Sequence, residues 1–408
     1  MSGADGRAGA EDGRVSADEG GARTAPGRLA DIPGFDIDGV ARAAESDSRI
    51  LRLENLDTDL RPPAAAVAAT RAALESPAAN SYLPFTGRAG LRAAAARHVG
   101  RLSGRDYDPD RECVITAGGT EGLLNALLAT VDPGDEVIVT DPTYAGMLQR
   151  VRLAGARPRL APWVFDPAAG WRLDLDALAA RVRDRTRALF IMNPSMPSGG
   201  VLDAGDWAVV AELCRRHDLW LLYNAAMERI LYDGRPYLHP AGLPGMRERT
   251  LTVGSVSKEH RMIGWRTGWI VGPAAVMADV AKVGIYNVVT GVGIGQPGAL
   301  AALTAADEAE DVAACVRRWE RRRDAVLDAL RDYPVRPAAG GWSLLVDTRP
   351  LGLTARELSA RLLTQAAVAA TPMDAWGGPD AQYQLRLVFS NEPVPRLQRL
   401  EERFARIA

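Results

Sequence analysis

Lys258 is the residue whose type and setting best suit covalent chemistry. The apolar, β-branched runs at 251–254 and 270–272 flank it and predict two strands. A lysine held between buried strands loses hydration, which lowers the pKa of its ammonium group and leaves more free amine. A free amine is a nucleophile that adds to an aldehyde and forms a Schiff base. The alternative interpretation of this stretch is a surface lysine on a turn.

Residues of types that suit phosphate binding precede and follow Lys258 in the sequence. Ser255 and Ser257 precede it, and Arg266 follows eight residues later. Arginine offers a planar fork of N–H donors, and serine offers one O–H donor on a short side chain. Together these residues can hold a phosphate group. An amine beside a phosphate clamp fits pyridoxal phosphate, a cofactor that carries both an aldehyde and a phosphate.

A second anion-binding pattern occurs well before the lysine. The strand predicted at 113–116 leads into the Gly-rich turn 117–122, which opens a helix that reaches Leu128. Backbone N–H groups and the helix dipole at such a turn both point at a bound anion. Gly119 and Thr120 lie in this turn. A Gly-rich turn alone is a weak signal, and its place ahead of the lysine motif strengthens it.

Taken together, these motifs resemble those of the fold-type I enzymes that depend on pyridoxal phosphate (PLP), in the class I/II aminotransferase-like family. The resemblance rests on Ser-x-Ser-Lys at 255–258, Gly-x-Arg-x-Gly at 264–268 and Asn-Pro-x-x-Pro-x-Gly at 193–199, and it covers residues 50–408. It implies an α/β fold-type I PLP-transferase with a large domain, whose mostly parallel sheet is flanked by helices, and a smaller α+β domain. Strands alternate with helices from 110 to 272, which also favours a mostly parallel α/β sheet.

The resemblance implies a role for each matching residue. Lys258 would be the catalytic residue that carries the Schiff base. Arg386 would bind the substrate α-carboxylate, although it could instead be a surface arginine on an edge strand. Tyr82 would reach the cofactor phosphate of the neighbouring subunit in a homodimer with shared active sites, whereas the residues alone fit a tyrosine packed on a loop equally well. The cofactor-binding residues implied in this way are Gly119, Thr120, Tyr144, which stacks on the pyridine ring, Asn193, Asn224, Ser255, Ser257, Arg266 and Tyr82.

Three positions depart from the family pattern. Met196 replaces the asparagine, and Met227 the tyrosine, that donate to the phenolic oxygen of the cofactor. Asn224 replaces the aspartate that pairs with the pyridine nitrogen. A neutral side chain at this position cannot keep the ring nitrogen protonated by its charge. These departures predict a weaker electron sink, or a reaction other than ordinary transamination.

The sequence therefore predicts a PLP-dependent enzyme that acts on an α-amino acid through a Lys258 Schiff base. Transamination is the first hypothesis. Elimination, replacement, cyclisation or decarboxylation in a specialised biosynthetic pathway is the alternative within the same chemistry. An alternative from another class is a degenerate family member that binds a ligand or partner without turning it over.

Three carboxylates suggest a class of substrate. Glu54, Asp57 and Asp59 replace small or neutral family residues near the expected entrance for the substrate. Carboxylates at that place would attract a guanidinium or ammonium group, so we expect a basic substrate side chain. The alternative interpretation is that all three are solvated charges on a loop.

The chain of 408 residues is long enough for two or three domains. We predict a disordered tail at 1–27, because this segment has almost no large apolar residue. Residues 28–75 are predicted to contribute to the small domain, 76–295 to form the large PLP-binding domain, and 296–408 to form the C-terminal small domain. Within the last of these, the Arg-rich segment 297–331 is expected to be helical with a solvated face.

Composition narrows the function classes further. A net charge of −2 gives no sign of a nucleic-acid or anionic-membrane partner, and no apolar run long enough to span a membrane occurs. Cys113, Cys214 and Cys315 are far apart and in no metal-ligand spacing, so we expect no metal site. Few and odd-numbered cysteines fit free thiols in a reducing cytoplasm.

Overall fold

The computed structural model describes residues 27–34, 37–45 and 47–407. Residues 1–26 of the predicted disordered tail at 1–27 lie outside these ranges. Within the described part, no helix is both long and apolar enough to cross a bilayer.

Strands and helices alternate along the described chain and are labelled in chain order. The strands are β1 Leu51–Arg52, β2 Cys113–Thr116, β3 Glu136–Asp141, β4 Arg157–Asp166, β5 Gly170–Leu173, β6 Thr186–Met192, β7 Trp220–Asn224, β8 Thr250–Ser255, β9 Gly268–Val271, β10 Val335–Arg336, β11 Ser343–Asp347, β12 Val368–Ala369, β13 Thr371–Pro372 and β14 Gln384–Val388. The helices are α1 Gly27–Ala30, α2 Ile37–Ala44, α3 Ala64–Leu74, α4 Ala89–Ser103, α5 Gly119–Leu128, α6 Ala145–Leu153, α7 Leu175–Ala180, α8 Ala204–Arg216, α9 Ala274–Asn287, α10 Gly295–Thr304, α11 Glu308–Ala329, α12 Ala355–Ala366, α13 Val394–Leu397 and α14 Leu400–Phe404.

The large sheet has the strand order β2-β9-β8-β7-β6-β3-β4-β5. The five central strands β8, β7, β6, β3 and β4 pair in parallel, while β9 and β5 run antiparallel to their neighbours. Parallel strands end at a common edge of the sheet, and ligands of α/β proteins bind outside that edge. The mostly parallel sheet predicted from the sequence is therefore confirmed.

Helices cover both faces of this sheet because its strands are apolar on both sides. Val114 and Ile270 face the core that contains α5, whereas Ile115 and Val271 face the core that contains α4. Successive residues of a strand point to opposite faces, so neighbouring residues of β2 and β9 enter different cores. Burial on both faces accounts for the nearly continuous apolar runs of the central strands.

A second, smaller sheet lies in the C-terminal part of the chain. It is antiparallel, with the order β10-β11-β14-β13. The short strand β1 pairs in parallel with β12, which ties residues 51–52 to the same part of the chain. This arrangement fits the predicted large and small domains, whose boundaries stay predictions.

The Arg-rich segment 297–331 is helical as expected, but its arginines do not form one solvated face. The segment contains two helices, α10 and α11, and its arginines are not all solvated. Arg322 and Arg323 are buried and form ion pairs with Asp59 and Asp233. The physical reason is that an arginine stem can pack against apolar surface while its guanidinium meets a carboxylate.

Candidate active site

A cavity of about 280 Å³ lies at the carboxyl ends of the parallel strands. Strands β7 and β8 end on it, and β14 of the small sheet contributes to its wall. Of the residues predicted from the sequence, the cavity brings together Gly119, Thr120, Tyr144, Asn224, Ser255, Ser257, Lys258, Arg266 and Arg386. Residues distant in the sequence thus share one concave site, the usual setting for catalysis.

Lys258 presents its amine to this cavity. Its Nζ donates to the main-chain carbonyl of Leu56 at 2.7 Å and lies 5.0 Å from the centre of the Trp342 ring. Burial lowers the pKa of the ammonium from 10.5 to about 8, with Asp57 opposing the shift. At pH 7.5 a pKa of about 8 leaves about a quarter of the lysine as free amine, against about one part in a thousand for an unshifted lysine. The side chain is therefore prepared to act as a nucleophile.

A cradle for an anion lies beside the lysine. Gly118 has a φ of +81°, and a Cβ added there would come within 2.5 Å of the Arg266 guanidinium. Arg266 is itself held in the left-handed region, and its Nη1 donates to the carbonyl of Ile263 at 3.1 Å. The hydroxyls of Thr120 and Ser257 make no hydrogen bond to any other described residue. These donors and the start of α5 form a site suited to a phosphate.

Arg386 forms the opposite wall, where its guanidinium is fully buried. Its Nη2 donates to the carbonyl of Glu54 and to Thr371 Oγ1, and its charge lies 4.6 Å from the Trp376 ring. Burial lowers its pKa to about 10, so it stays charged at neutral pH. The alternative of an edge-strand surface arginine is wrong, because β14 lies between β11 and β13. A buried cation with no carboxylate bonded to it is a receptor for an anionic group.

The comparisons with known proteins agree with this geometry. A family described as aminotransferase class I and II matches residues 52–404. The chain belongs to this family. Its members and the fold-type I proteins of similar structure are PLP enzymes, and the chain is accordingly an aminotransferase-like PLP enzyme.

Individual relatives of this aminotransferase-like enzyme carry different substrate names. Arginine–pyruvate transaminase of Pseudomonas aeruginosa is 35% identical over 356 residues, which are 86% of this chain and 88% of that protein. LL-diaminopimelate aminotransferase of Moorella thermoacetica is 31% identical over 385 residues, or 90% and 93% of the two chains. The solved structure of N-succinyldiaminopimelate aminotransferase from Mycobacterium tuberculosis superposes with a TM-score of 0.88 at 32% identity, covering 94% of this chain and all of that one.

The three positions that depart from the family pattern line the same cavity of the enzyme. Asn224 is 4% exposed, its Oδ1 accepts from the N–H of Ala226 at 3.2 Å, and its Nδ2 lies 3.6 Å from Met147 Sδ. Met196 and Met227 are buried beside it. No described residue on the cavity wall is acidic. This side of the site therefore offers thioethers and one amide in place of a carboxylate and two neutral donors.

Two predicted residues lie away from the cavity wall. Asn193 turns its side chain to the loop that follows β6, where its Oδ1 accepts from the N–H of Leu202 at 2.8 Å. It therefore holds the turn in which Met196 lies. Tyr82 is 81% exposed and does not line the cavity of its own chain.

The three carboxylates expected at the substrate entrance differ in burial and in their partners. Glu54 is fully buried and pairs with Arg52 at 2.6 Å, and Asp59 pairs with Arg322 through both carboxylate oxygens. The expectation that these two would face a substrate is wrong, because each already neutralises an arginine. Asp57 remains exposed and forms no ion pair with a described residue.

Sequence reasoning missed several parts of the wall. Asn55, Leu56 and Trp376 line the cavity, and Trp342 lies under the lysine. Leu56 holds the amine through its carbonyl oxygen, a group that every residue carries. No signal in the sequence marks such a contact, which depends on the approach of two segments about 200 residues apart.

Proposed function

We propose that the protein is a PLP-dependent aminotransferase that acts on an α-amino acid through Lys258. The observation that carries the proposal is the presence of two complementary groups in one cavity. The lysine amine, with its lowered pKa, faces the same space as the anion cradle of Thr120, Ser257 and Arg266. An aldehyde and a phosphate on one small molecule would satisfy both.

The residues of the cavity fit PLP. Arg266, Ser257, Thr120 and the N-terminus of α5 would hold its phosphate, and Tyr144 would pack against its ring. Lys258 would form the covalent bond to its aldehyde carbon. When bound, this cofactor supplies an electron sink for the charge left on the substrate when its α-proton is removed.

Side chains of the protein would bind the substrate, accept its α-proton and exclude water. Arg386 would bind the α-carboxylate with its guanidinium fork and so orient the α-carbon. Lys258, once released from its covalent bond, would accept the α-proton at Nζ, because its lowered pKa suits a general base near neutral pH. Trp376 packs on the guanidinium of Arg386 and would keep water away from that contact.

We propose that the active form is a homodimer with shared sites. Tyr82, Phe85 and Tyr286 expose large aromatic side chains, and Gly293 lies against Ala79, which brings the two exposed segments together. Exposed apolar side chains that lie together in one patch mark an interaction surface. Tyr82 would then reach the phosphate cradle of the partner. An active species that light scattering identifies as a monomer would contradict this.

A second candidate function is elimination, replacement, cyclisation or decarboxylation by the same lysine. Asn224, Met196 and Met227 favour it, because they remove the polar contacts that tune the ring in ordinary members of the family. A different electron sink changes which bond of the substrate is weakened most.

The proposed compartment is the cytoplasm. Cys113, Cys214 and Cys315 are free and buried, and burial raises the pKa of each thiol. Unpaired thiols fit a reducing environment.

Product analysis separates the two candidate functions. The loaded enzyme is incubated with a panel of amino acids and pyruvate or 2-oxoglutarate, and products are identified by mass spectrometry. We expect the donor's oxo acid and the newly aminated acceptor in equal amounts. Carbon dioxide, ammonia without acceptor amination, or a cyclised product would instead assign one of the alternative reactions.

A further inference from the structure

The segment that follows β1 brings the backbone of Asp57 close to the catalytic amine. Lys258 Nζ donates to the Leu56 carbonyl at 2.7 Å. The peptide that carries this carbonyl joins Leu56 to Asp57, so standard backbone dimensions place the Asp57 Cα within roughly 6 Å of the amine. Asp57 is exposed, and its carboxylate accepts a hydrogen bond from the N–H of Thr58 at 2.7 Å.

The backbone of this segment is fixed on both sides of the carboxylate. The N–H of Asp57 donates to Asn55 O at 2.8 Å, and its carbonyl accepts from Ser390 Oγ. Thr58 Oγ1 in turn donates to Ser390 O at 3.0 Å. A carboxylate on a fixed backbone loses little freedom when it binds a ligand, which favours selective recognition.

The other charges near the site are already committed. In the proposed function, Arg266 holds the cofactor phosphate and Arg386 the α-carboxylate. No further cation among the described lining residues is left for a second substrate carboxylate. Glu54 and Asp59 neutralise arginines of the protein itself. Asp57 is thus the one carboxylate of the three that has no arginine partner among the described residues.

From these observations we infer that Asp57 selects amino acids with a long cationic side chain, a guanidinium or an ammonium. The inference rests on the proposed function. The substrate's amino group must reach the aldehyde carbon of the cofactor, which is also the carbon that Lys258 would bind. The α-carbon of the substrate would therefore lie near Lys258 Nζ. A stem of three or four carbons then spans roughly 5 Å, which is comparable with the limit of roughly 6 Å between Nζ and the Asp57 Cα. Asp57 is also the charge that acts most strongly against the lowering of the Lys258 pKa, consistent with its proximity.

The test compares arginine with citrulline, its neutral isostere, on the loaded enzyme. Dissociation constants come from the absorbance change on adding each amino acid without an acceptor, and kcat/KM comes from turnover with pyruvate. We expect the wild type to favour arginine, and Asp57→Asn to weaken arginine roughly 10- to 100-fold, the range of one charge-assisted hydrogen bond, with citrulline changed less than about threefold.

Two further variants make the outcome specific. Asp57→Glu keeps the charge and should retain most of the preference for arginine. Asp176→Asn removes an exposed carboxylate on α7, which packs against β4 and α8, and should leave both constants unchanged. An equal loss for arginine and citrulline in Asp57→Asn, or a wild type that favours neutral or acidic amino acids, overturns the inference alone. A loaded enzyme that responds to no amino acid overturns the proposed function as well.

Discussion

Replacing Lys258 by methionine tests whether its amine is desolvated as the structure indicates. Methionine has a similar length and no charge, so Lys258→Met removes the titrating group with a small change in volume. The folded chain releases this proton near pH 8, whereas a lysine in the unfolded chain releases it near pH 10.5. Between these values the unfolded state binds more protons, so the stability that the lysine confers rises with pH.

The size of the effect follows from the two pKa values. Integrating the proton difference from pH 7 to pH 9.5 gives about 2 kcal/mol in favour of the wild type relative to Lys258→Met. Below pH 7 the lysine is protonated in both states, and the difference between the two chains becomes independent of pH. The direction is opposite to that of a lysine held in an ion pair.

Urea unfolding of the two chains without cofactor, at pH 7 and at pH 9.5, measures this change. Lys282→Met is the matched control, because Lys282 is exposed and its pKa is raised by Asp279. We expect the control to keep the same free-energy difference from the wild type at both pH values. A Lys258→Met difference that is also the same at both pH values would refute the desolvation of the amine.

Two other substitutions test the walls of the cavity. Asn224→Asp should lower the pH at which the visible absorbance of the loaded enzyme titrates, because a negative carboxylate there favours the protonated form of the ring nitrogen; a wild type that already titrates near neutral pH would show that another group replaces the missing contacts. Arg386→Gln should raise KM for the amino acid about tenfold or more and leave cofactor content unchanged, because Arg386 would bind the α-carboxylate and makes no hydrogen bond to the described residues of the phosphate cradle; an unchanged KM would remove Arg386 from the substrate site.

The positions of site residues that directly follow a strand could be predicted from the sequence. Ser255 and Lys258 come directly after an apolar run, and Gly119 and Thr120 come after another, so their place at the edge of the sheet follows from the strands. The mostly parallel sheet followed from the same alternation of strands and helices. Such information is local, and a single chain segment contains all of it.

Contacts between segments that lie far apart in the sequence could not be predicted from it. The three carboxylates after β1 look alike in the sequence, yet Asp59 is neutralised by Arg322, which lies 263 residues away, and Glu54 is buried against Arg52. Asn193 belongs to a recognised motif, but a turn directs its amide towards Leu202. The fold decides which charged side chains have no partner of opposite charge, and these side chains remain able to pair with a charged substrate.

The residue that is modified after borohydride reduction tests the covalent role of Lys258 most directly. Wild type and Lys258→Ala are incubated with pyridoxal phosphate, reduced, digested and analysed by mass spectrometry. We expect a pyridoxyl phosphate adduct on Lys258 in the wild type and its loss in the variant. Undiminished covalent labelling of Lys258→Ala would contradict this role.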